Sequence, residues 1–266
     1  MSFTATITNQ VTTGAITLGS APYILRNISL GSPDAMIATN GAPYQDGSSY
    51  IGALFQETPL TIEGLISAAS FTLVGSYRRA MEAVLNPKDG LALVDVVDNA
   101  TSRSIMAVPE QISFPGGQGR GPLSQRFIIS MLAPNPLWYD PVVNAETVIE
   151  GTPEDCGNDG DWDTPVTLVV EGPCKDPVIT NVTTSKSIKV NITLAAGELL
   201  TIVTAFGLKS ITKTSGGVDT NAMQYLDATS RDFFWLERGI NEITIADDSV
   251  NVVEMTINWY NKYLGV

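Results

Sequence analysis

"SQRFIISMLAPNPLWYDP", residues 124–141, carries an apolar strand pattern directly into three prolines that surround a Trp-Tyr pair. Apolar residues at a period of two indicate a β-strand. Closely spaced prolines fix φ and hold the backbone extended. We therefore predict a strand that ends near residue 132, followed by a stiff interdomain connector formed by Pro134, Pro136, Trp138 and Tyr139, whose two aromatic rings can pack against the domains on either side.

The length of the chain agrees with a boundary at this connector. A chain of 266 residues exceeds the usual size of one domain, about 150 residues, and is sufficient for two. An apolar content of 44% is typical of a globular protein. We predict one domain over residues 1–138 and a second over residues 139–266.

The first half of the chain has the apolar pattern of a β-sheet. Short stretches bounded by Gly, Pro, Asn and Asp alternate in hydrophobicity or run apolar over strand lengths. These predicted strands are residues 22–30, 59–67, 91–97, 103–109 and 124–132.

One segment of this half, "SFTLVGSYRRAMEAVLNPKDG", has a helical period instead. Its apolar residues fall on one face of a 3.6-residue helix. They are Leu73, Val74, Tyr77, Ala80, Met81, Val84 and Leu85. Ser70 can cap the start, and Asn86-Pro87 should end the helix, which predicts a helix over 70–86 that covers one face of a sheet. Arg78 and Arg79 lie on the outer side, as solvated charges or, alternatively, as partners in an intersubunit salt bridge.

Two segments rich in Gly, Pro and Ser are predicted to be long loops. They are residues 39–58 and 115–122. Loops of this length usually carry function or reach a neighbouring molecule. The first contains Tyr44, Tyr50 and Phe55, and exposed aromatic residues of this number point to contact with another chain. The second contains Arg120. We take these four residues, together with Arg78, as candidate interface residues.

The second half of the chain predicts a β-sandwich. An acidic, turn-rich stretch at 150–165 precedes short apolar strands with a turn every 8 to 12 residues and no helical period. The predicted strands are residues 166–172, 177–182, 187–194, 199–205, 209–214, 233–238, 241–246 and 252–264. The fold class is therefore mainly β, with one packed helix in the first domain.

Charge and targeting signals exclude several classes of protein. The net charge is −13, with 15 basic residues scattered along the chain, so the sequence does not suit a nucleic-acid binder. We find no apolar stretch of transmembrane length and no signal-peptide pattern at the start, and we expect synthesis in a cytoplasm. The Asn-x-Ser/Thr matches at Asn27, Asn99, Asn181 and Asn191 are then incidental.

The residues of most catalytic and cofactor sites are missing as well. The chain has no histidine, which rules out Ser-His-Asp and Cys-His systems and His-containing zinc sites. It has no phosphate-binding glycine motif, so we expect no catalysis and no cofactor. Asp159, Asp161 and Asp163 alternate as in a calcium loop, but Thr164 and Val170 occupy the positions of its glycine and glutamate, which favours an acidic surface loop and no metal.

The chain has two cysteines, Cys156 and Cys174. With no CxxC pair, we expect free thiols. A disulfide between them remains the alternative; it would close a loop of some 18 residues and stabilise the fold by roughly 3 kcal/mol.

Several stretches together resemble the distal tail protein (Dit) family of siphoviruses, the long-tailed bacteriophages. "PLTIEGLI", the helix "YRRAMEAVLNP" and the strand that ends in "LAPNPLWYDP" resemble the first domain of that family. "TPVTLVVEGPCKDPVITNVTTSKSIKVNITLAAGELLTI" and "YLDATSRDFFWLERGINEITI" are similar to its C-terminal domain. The resemblance covers nearly the whole chain and rests on the order and spacing of these segments.

The resemblance implies a fold and a set of partners. It implies a first domain with a tail-tube-like β-sandwich or barrel fold that forms a homo-hexameric ring, with the 39–58 segment in the belt of the ring. It also implies a galectin-like antiparallel β-sandwich on the outside of the ring. It also implies a virion protein of the tail tip, or baseplate, that connects the tail tube protein above to the tail hub or tail-associated protein and the tape measure protein below. DNA would pass through the lumen without specific binding, and an acidic lumen would repel it.

Two other functions are compatible with the sequence. One is a carbohydrate-binding phage adhesin that acts on host cell-wall polysaccharide, which would need exposed aromatics such as Trp162 on the sandwich domain. We expect Trp235 to lie in the core. The other is a tail-tube or tail-terminator subunit, which the large second domain disfavours.

Overall fold

The computed structural model describes residues 3–29, 32–99, 101–116, 121–249 and 251–266. Its backbone contacts divide the chain into two compact units. The first unit comprises residues 1–141 together with 263–266, and the second comprises residues 142–262. The chain therefore passes from the first unit to the second and ends back in the first.

The first unit contains ten complete strands and the longest helix of the described chain. Its strands are β1 (Phe3–Asn9), β2 (Ala15–Leu18), β3 (Tyr23–Ile28), β4 (Ala35–Asn40), β5 (Ser49–Phe55), β6 (Thr58–Ser67), β7 (Ala92–Asp98), β8 (Thr101–Ser113), β9 (Ser124–Ala133) and β10 (Trp138–Tyr139). The helix α1 spans Phe71–Val84. The five strands predicted in this half are confirmed as β3, β6, β7, β8 and β9.

The long strand β8 connects the two parts of the first unit's sheet, whose order is β2-β1-β7-β8-β9-β6-β3 with all pairs antiparallel. Residues 101–107 pair with β7, and residues 108–113 pair with β9. The register shifts between Pro109 and Gln111. A proline is tolerated within a strand at such a bulge. The bulge also bends β8, so that its first part can pair with β7 and its second part with β9.

Helix α1 packs against this sheet as its apolar period predicts. Ser70 caps the helix, since its side chain accepts a hydrogen bond from the Leu73 backbone N–H at 3.3 Å. Val74 and Met81 are the residues of the helix that are buried. The helix ends at Val84, two residues before the predicted end, because Asn86 caps a short 3₁₀ turn at Pro87–Asp89 instead.

The core of the first unit gathers side chains from the strands and from α1, among them Ile7, Ile62, Met81 and Phe127. Trp138 belongs to the same core and is fully buried. The predicted connector at residues 134–139 therefore lies inside the first unit, where its tryptophan contributes to one core.

The second unit has two principal antiparallel sheets. Its strands are β11 (Asn144–Ile149), β12 (Glu154–Asn158), β13 (Thr164–Glu171), β14 (Cys174–Lys175), β15 (Val178–Asn181), β16 (Lys186–Val190), β17 (Thr193–Leu194), β18 (Leu199–Val203), β19 (Ser210–Ser215), β20 (Val218–Asn221), β21 (Leu226–Arg231), β22 (Trp235–Leu236), β23 (Gly239–Ala246) and β24 (Glu254–Trp259). One sheet has the order β11-β24-β13-β18-β19-β20, and the other β12-β23-β15-β16-β21. A last short strand, β25 (Lys262–Tyr263), pairs with β10.

Buried residues of both sheets form one hydrophobic cluster, as in a sandwich. Leu168 and Ile257 come from the first sheet, and Ile179 and Ile243 from the second. This cluster is separate from the core of the first unit. The prediction of a mainly β chain with one packed helix, followed by an antiparallel sandwich, is confirmed.

The expectations about the second half need correction in several places. The acidic stretch at 150–165, expected to be turns, contains strand β12, whose Cys156 and Asn158 are buried. Strand β21 was missed because its sequence, "LDATSR", has little apolar pattern and its residues are exposed or half-buried. Such an edge strand forms through backbone pairing with β16 rather than through burial of its side chains.

Cys156 and Cys174 are free and buried, so the disulfide alternative is not realised. Cys156 lies on β12 and pairs with Asn241 of β23, whereas Cys174 on β14 pairs with Leu194 of β17. Burial raises the pKa of each thiol to about 12, and nearby carboxylates add to the effect. Both groups therefore remain protonated and unreactive at neutral pH.

Within the described residues, no helix is both long enough and apolar enough to cross a membrane.

Candidate assembly surface

The segment predicted as the 39–58 loop is mostly a β-hairpin. Strands β4 and β5 pair from Ala35↔Phe55 to Asn40↔Ser49, and residues 41–48 form the tip. Within the described part of the chain, neither strand pairs with any other strand. The sequence prediction was wrong because Gly and Ser are frequent here while the apolar residues lack a simple alternation.

Both faces of this hairpin are apolar and exposed. Met36 pairs with Leu54, and the adjacent residue Ile37 pairs with Ala53 on the opposite face. Met36, Ile37, Tyr50, Ile51 and Leu54 are each more than half exposed. A two-stranded hairpin is only marginally stable in water without a surface to pack on. We call the hairpin of residues 35–55 the assembly hairpin.

The tip of the assembly hairpin presents an aromatic ring on a constrained turn. The Gln45 N–H donates to the Ala42 carbonyl at 3.1 Å, and the Gln45 Oε1 accepts from the Ala42 N–H at 3.0 Å. Tyr44, between them, has φ of +63° and is fully exposed. A left-handed backbone at a residue other than glycine costs about 1–2 kcal/mol and is often associated with function.

The base of the assembly hairpin is closed by one further backbone hydrogen bond between its two arms. The Gln56 N–H donates to the Asp34 carbonyl at 2.8 Å, directly beyond the last pair of the hairpin. Phe55 is half-buried at this base, and β6 begins at Thr58. Of the predicted interface residues, Tyr44, Tyr50 and Phe55 thus lie on one hairpin, at its tip, in its middle and at its base.

The other predicted site residues lie elsewhere. Arg78 on α1 stacks its guanidinium on the Phe114 ring, 4.3 Å from the centroid, and so contacts its own chain. Arg120 lies outside the described residues. Of the connector prolines, Pro134 is exposed and Pro136 half-buried, while Tyr139 pairs with Ser104 of β8.

A second cluster next to the connector ties the end of the chain to the first unit. The Arg103 Nη1 lies 2.6 Å from Asp140 Oδ1, and the Tyr263 hydroxyl donates to Asp140 Oδ2 at 3.1 Å. The Arg103 guanidinium also stacks on the Tyr263 ring at 3.6 Å. Sequence analysis missed this cluster because its three residues are far apart along the chain.

The negative charge of the chain is concentrated in the second unit. The first unit has seven basic and ten acidic residues, a net charge of −3, and the second has eight basic and eighteen acidic residues, a net charge of −10. The low isoelectric point therefore reflects mainly the composition of the second unit. Among the described residues, no group of three Asp, Glu, His or Cys side chains is arranged to hold a metal ion.

Known proteins resemble this chain in both of its units. Residues 159–263 match the family model of the siphovirus-type tail component, C-terminal domain. The whole chain superposes on the Dit (gp 19.1) protein of phage SPP1, described as a paradigm of the hub adsorption apparatus in phages that infect Gram-positive bacteria, with a TM-score of 0.74, 13% identity and 98% of each chain covered. The resemblance to the distal tail protein family is confirmed.

Chains of two further phage structures share the fold of this chain. A chain of the phage P2 baseplate, in its activated conformation with Ca, has a TM-score of 0.58 at 7% identity, with 100% of both chains covered. A chain of the p2 baseplate, in its activated conformation with Sr, has a TM-score of 0.53 at 8% identity and covers 96% of this chain and 97% of that one. No curated protein matches the chain. At these identities the likeness establishes the fold and not the assembly.

Proposed function

We propose that this chain is a structural subunit of a phage tail tip, or baseplate, and that six copies form a ring through their first units. The ring connects the tail tube protein above to the tail hub or tail-associated protein and the tape measure protein below. The chain acts by shape rather than by catalysis. It is made in the host cytoplasm and resides in the virion.

The assembly hairpin is the observation that supports this proposal most directly. A protein in isolation rarely keeps a hairpin whose two faces are both apolar and both exposed to water. Among the described residues no further strand pairs with β4 or β5, and natural proteins usually cover such strand edges. Packing of the hairpin on the next copy would remove both penalties at once.

A closed ring gives every copy the same two contacts with its neighbours. In a cyclic assembly, each subunit offers its hairpin to one neighbour and receives the hairpin of the other, so that no copy is left with an exposed surface. Obligate interfaces of this kind bury roughly 2,000 Å² or more in total. The strained Tyr44 at the hairpin tip would then be held in place by the neighbour it contacts.

The charge of the first unit suits a channel for DNA. A net charge of −3 on each first unit gives little long-range attraction for phosphate, so DNA would pass through the ring without specific binding. The second unit, with its larger negative charge, would lie on the outside of the ring.

Substitution of Ile51 by Asp tests the role of the hairpin. Ile51 is 67% exposed, so an aspartate there leaves both cores intact but places a charge in the proposed interface. We expect light scattering to give the mass of a hexamer for the parent chain and of a monomer for Ile51→Asp, and circular dichroism to show that the monomer keeps the β-rich fold of the parent.

Val11→Asp is the matched control. Val11 is also 67% exposed and lies in the first unit, but outside the hairpin. This variant should keep the mass of the parent protein. An Ile51→Asp protein that still assembles, or a parent chain that stays monomeric at high concentration, would contradict the proposal.

A further inference from the structure

A cleft in the second unit has the composition of a ligand site. It has a volume of about 270 Å³ and is formed by segments far apart in sequence. The loop between β18 and β19 contributes Phe206 and Lys209, and the residues around β22 contribute Phe233 and Trp235. A site built where several loops meet at one edge of a rigid sandwich is a common arrangement for binding.

Phe206 is displayed by a fixed turn. The Leu208 N–H donates to the Ala205 carbonyl at 3.1 Å, and Gly207 takes φ of +78°, which closes a turn with Phe206 as its second residue. The Phe206 side chain is 86% exposed. The turn therefore holds a large apolar ring in water beside the cleft.

Trp235 is held in place by the strand pairing of its backbone and by a hydrogen bond from its indole ring. Its neighbours Phe234 and Leu236 are buried in the core, and the Trp235 backbone pairs with Pro165 of β13. The indole Nε1 donates to the Thr204 carbonyl at 3.0 Å. Trp235 is half-buried, so the expectation that it belongs to the core is corrected: Phe234 occupies that place.

Charged groups of both signs line the cleft in equal number. Asp163 and Glu237 supply two carboxylates, and Lys186 and Lys209 supply two ammonium groups. The Lys209 Nζ lies 5.2 Å from the centre of the Phe233 ring. The four charges of the cleft lining sum to zero, and Lys262, which is not part of that lining, places its Nζ 5.4 Å from the centre of the Trp235 ring. The lining itself therefore favours neither an anionic nor a cationic ligand.

We propose that this cleft binds a neutral saccharide. A sugar ring places its C–H face on an aromatic ring while its hydroxyl groups donate to carboxylates and accept from ammonium groups. The volume is just below the range of sites for drug-sized ligands, which suits one or two sugar rings. An apolar protein segment would instead remove water from four charged groups without giving them partners. The inference concerns the second unit and does not rest on the ring.

Saturation-transfer NMR tests this inference with the full-length protein. The probes are the neutral methyl glycosides of glucose, galactose, N-acetylglucosamine and rhamnose at millimolar concentration. We expect saturation transfer to at least one of them, and at least a tenfold weaker affinity in Phe206→Ala. Leu208→Ala is the matched control, since Leu208 is 71% exposed in the same turn and does not line the cleft, and it should bind as the parent does.

The outcomes separate the two proposals. Absence of saturation transfer from all four sugars overturns the saccharide site, as does equal binding by Phe206→Ala and the parent chain. Loss of assembled mass in Phe206→Ala, without sugar binding by the parent, would show that the cleft is a contact between copies instead. Sugar binding by a chain that remains monomeric would support the cleft while contradicting the ring.

Discussion

Single residues determine how closely the strands of the first unit can pack, and Gly64 is the clearest example. It lies in β6 opposite Phe127 of β9. A Cβ at Gly64 would collide with the Phe127 ring and would lie 2.6 Å from the Ile24 carbonyl oxygen. The absence of a side chain therefore allows the Phe127 ring to cover the backbone of β6.

Gly64→Ala should destabilise the first unit by about 2–3 kcal/mol, because a buried ring and a backbone carbonyl would have to move. Urea unfolding monitored by circular dichroism measures the change. Gly157→Ala is the control: Gly157 also lies in a strand, with nothing within 4 Å of an added Cβ, and should change stability by less than about 1 kcal/mol. Equal effects of the two variants would contradict this account of Gly64.

The two cysteines make a second prediction at this scale. Their folded pKa values lie near 12 rather than the ordinary 9.0, mainly because of burial. The folded state thus holds these protons more tightly than the unfolded state, so their contribution to stability is complete below about pH 9 and is lost as the pH rises toward 12.

We expect the reduced parent chain to lose more stability between pH 8 and pH 11 than a Cys156→Ala, Cys174→Ala variant does. The difference should be at least about 1.4 kcal/mol, the equivalent of one pKa unit. Urea unfolding at both pH values measures it, and tyrosine and lysine titration cancels between the two proteins. Parallel losses in both proteins would show that the thiols titrate normally.

At the scale of elements, sequence reasoning succeeded where burial fixes the pattern. Strands β6 and β9 alternate buried and partly exposed residues along their whole length, and α1 presents a continuous apolar face. A side chain that must reach the core leaves a period in the sequence. These elements were therefore predicted nearly to their ends.

Sequence reasoning also missed β1 and β2, although both alternate in burial, whereas other missed elements gain their order in another way. The residues of β4 are all exposed, and β20 is exposed throughout as well. Their order comes from backbone pairing within a hairpin, which leaves no apolar period. For the same reason the candidate surface was predicted only in part. Tyr44 and Tyr50 stood out because they are aromatic residues in a polar segment, but no sequence pattern indicated Met36 or Leu54.

The cleft of the second unit illustrates the same limit. Phe206 and Trp235 are 29 positions apart in the sequence, and their association depends on the β18–β19 turn and on the short pairing of β22 with β13. Neither feature leaves a local sequence pattern. Sequence analysis therefore placed Trp235 in the core and did not consider Phe206.

At the scale of the whole molecule, two separate hydrophobic clusters suggest two folding units. Ile62 is fully buried in the first cluster and Ile257 in the second. Each cluster collects side chains from its own unit and excludes those of the other. Domains with their own cores commonly unfold in separate transitions, and a chain of this kind need not be two-state.

We therefore expect differential scanning calorimetry to show two transitions. Replacement of a buried isoleucine by alanine costs about 2–5 kcal/mol, so Ile62→Ala should lower one midpoint by roughly 10 °C and leave the other in place. Ile257→Ala should lower the other midpoint by a similar amount. If each substitution moved both midpoints together, the two clusters would be unfolding as one cooperative body, and the ring-forming and saccharide-binding roles could not be assigned to independently stable units.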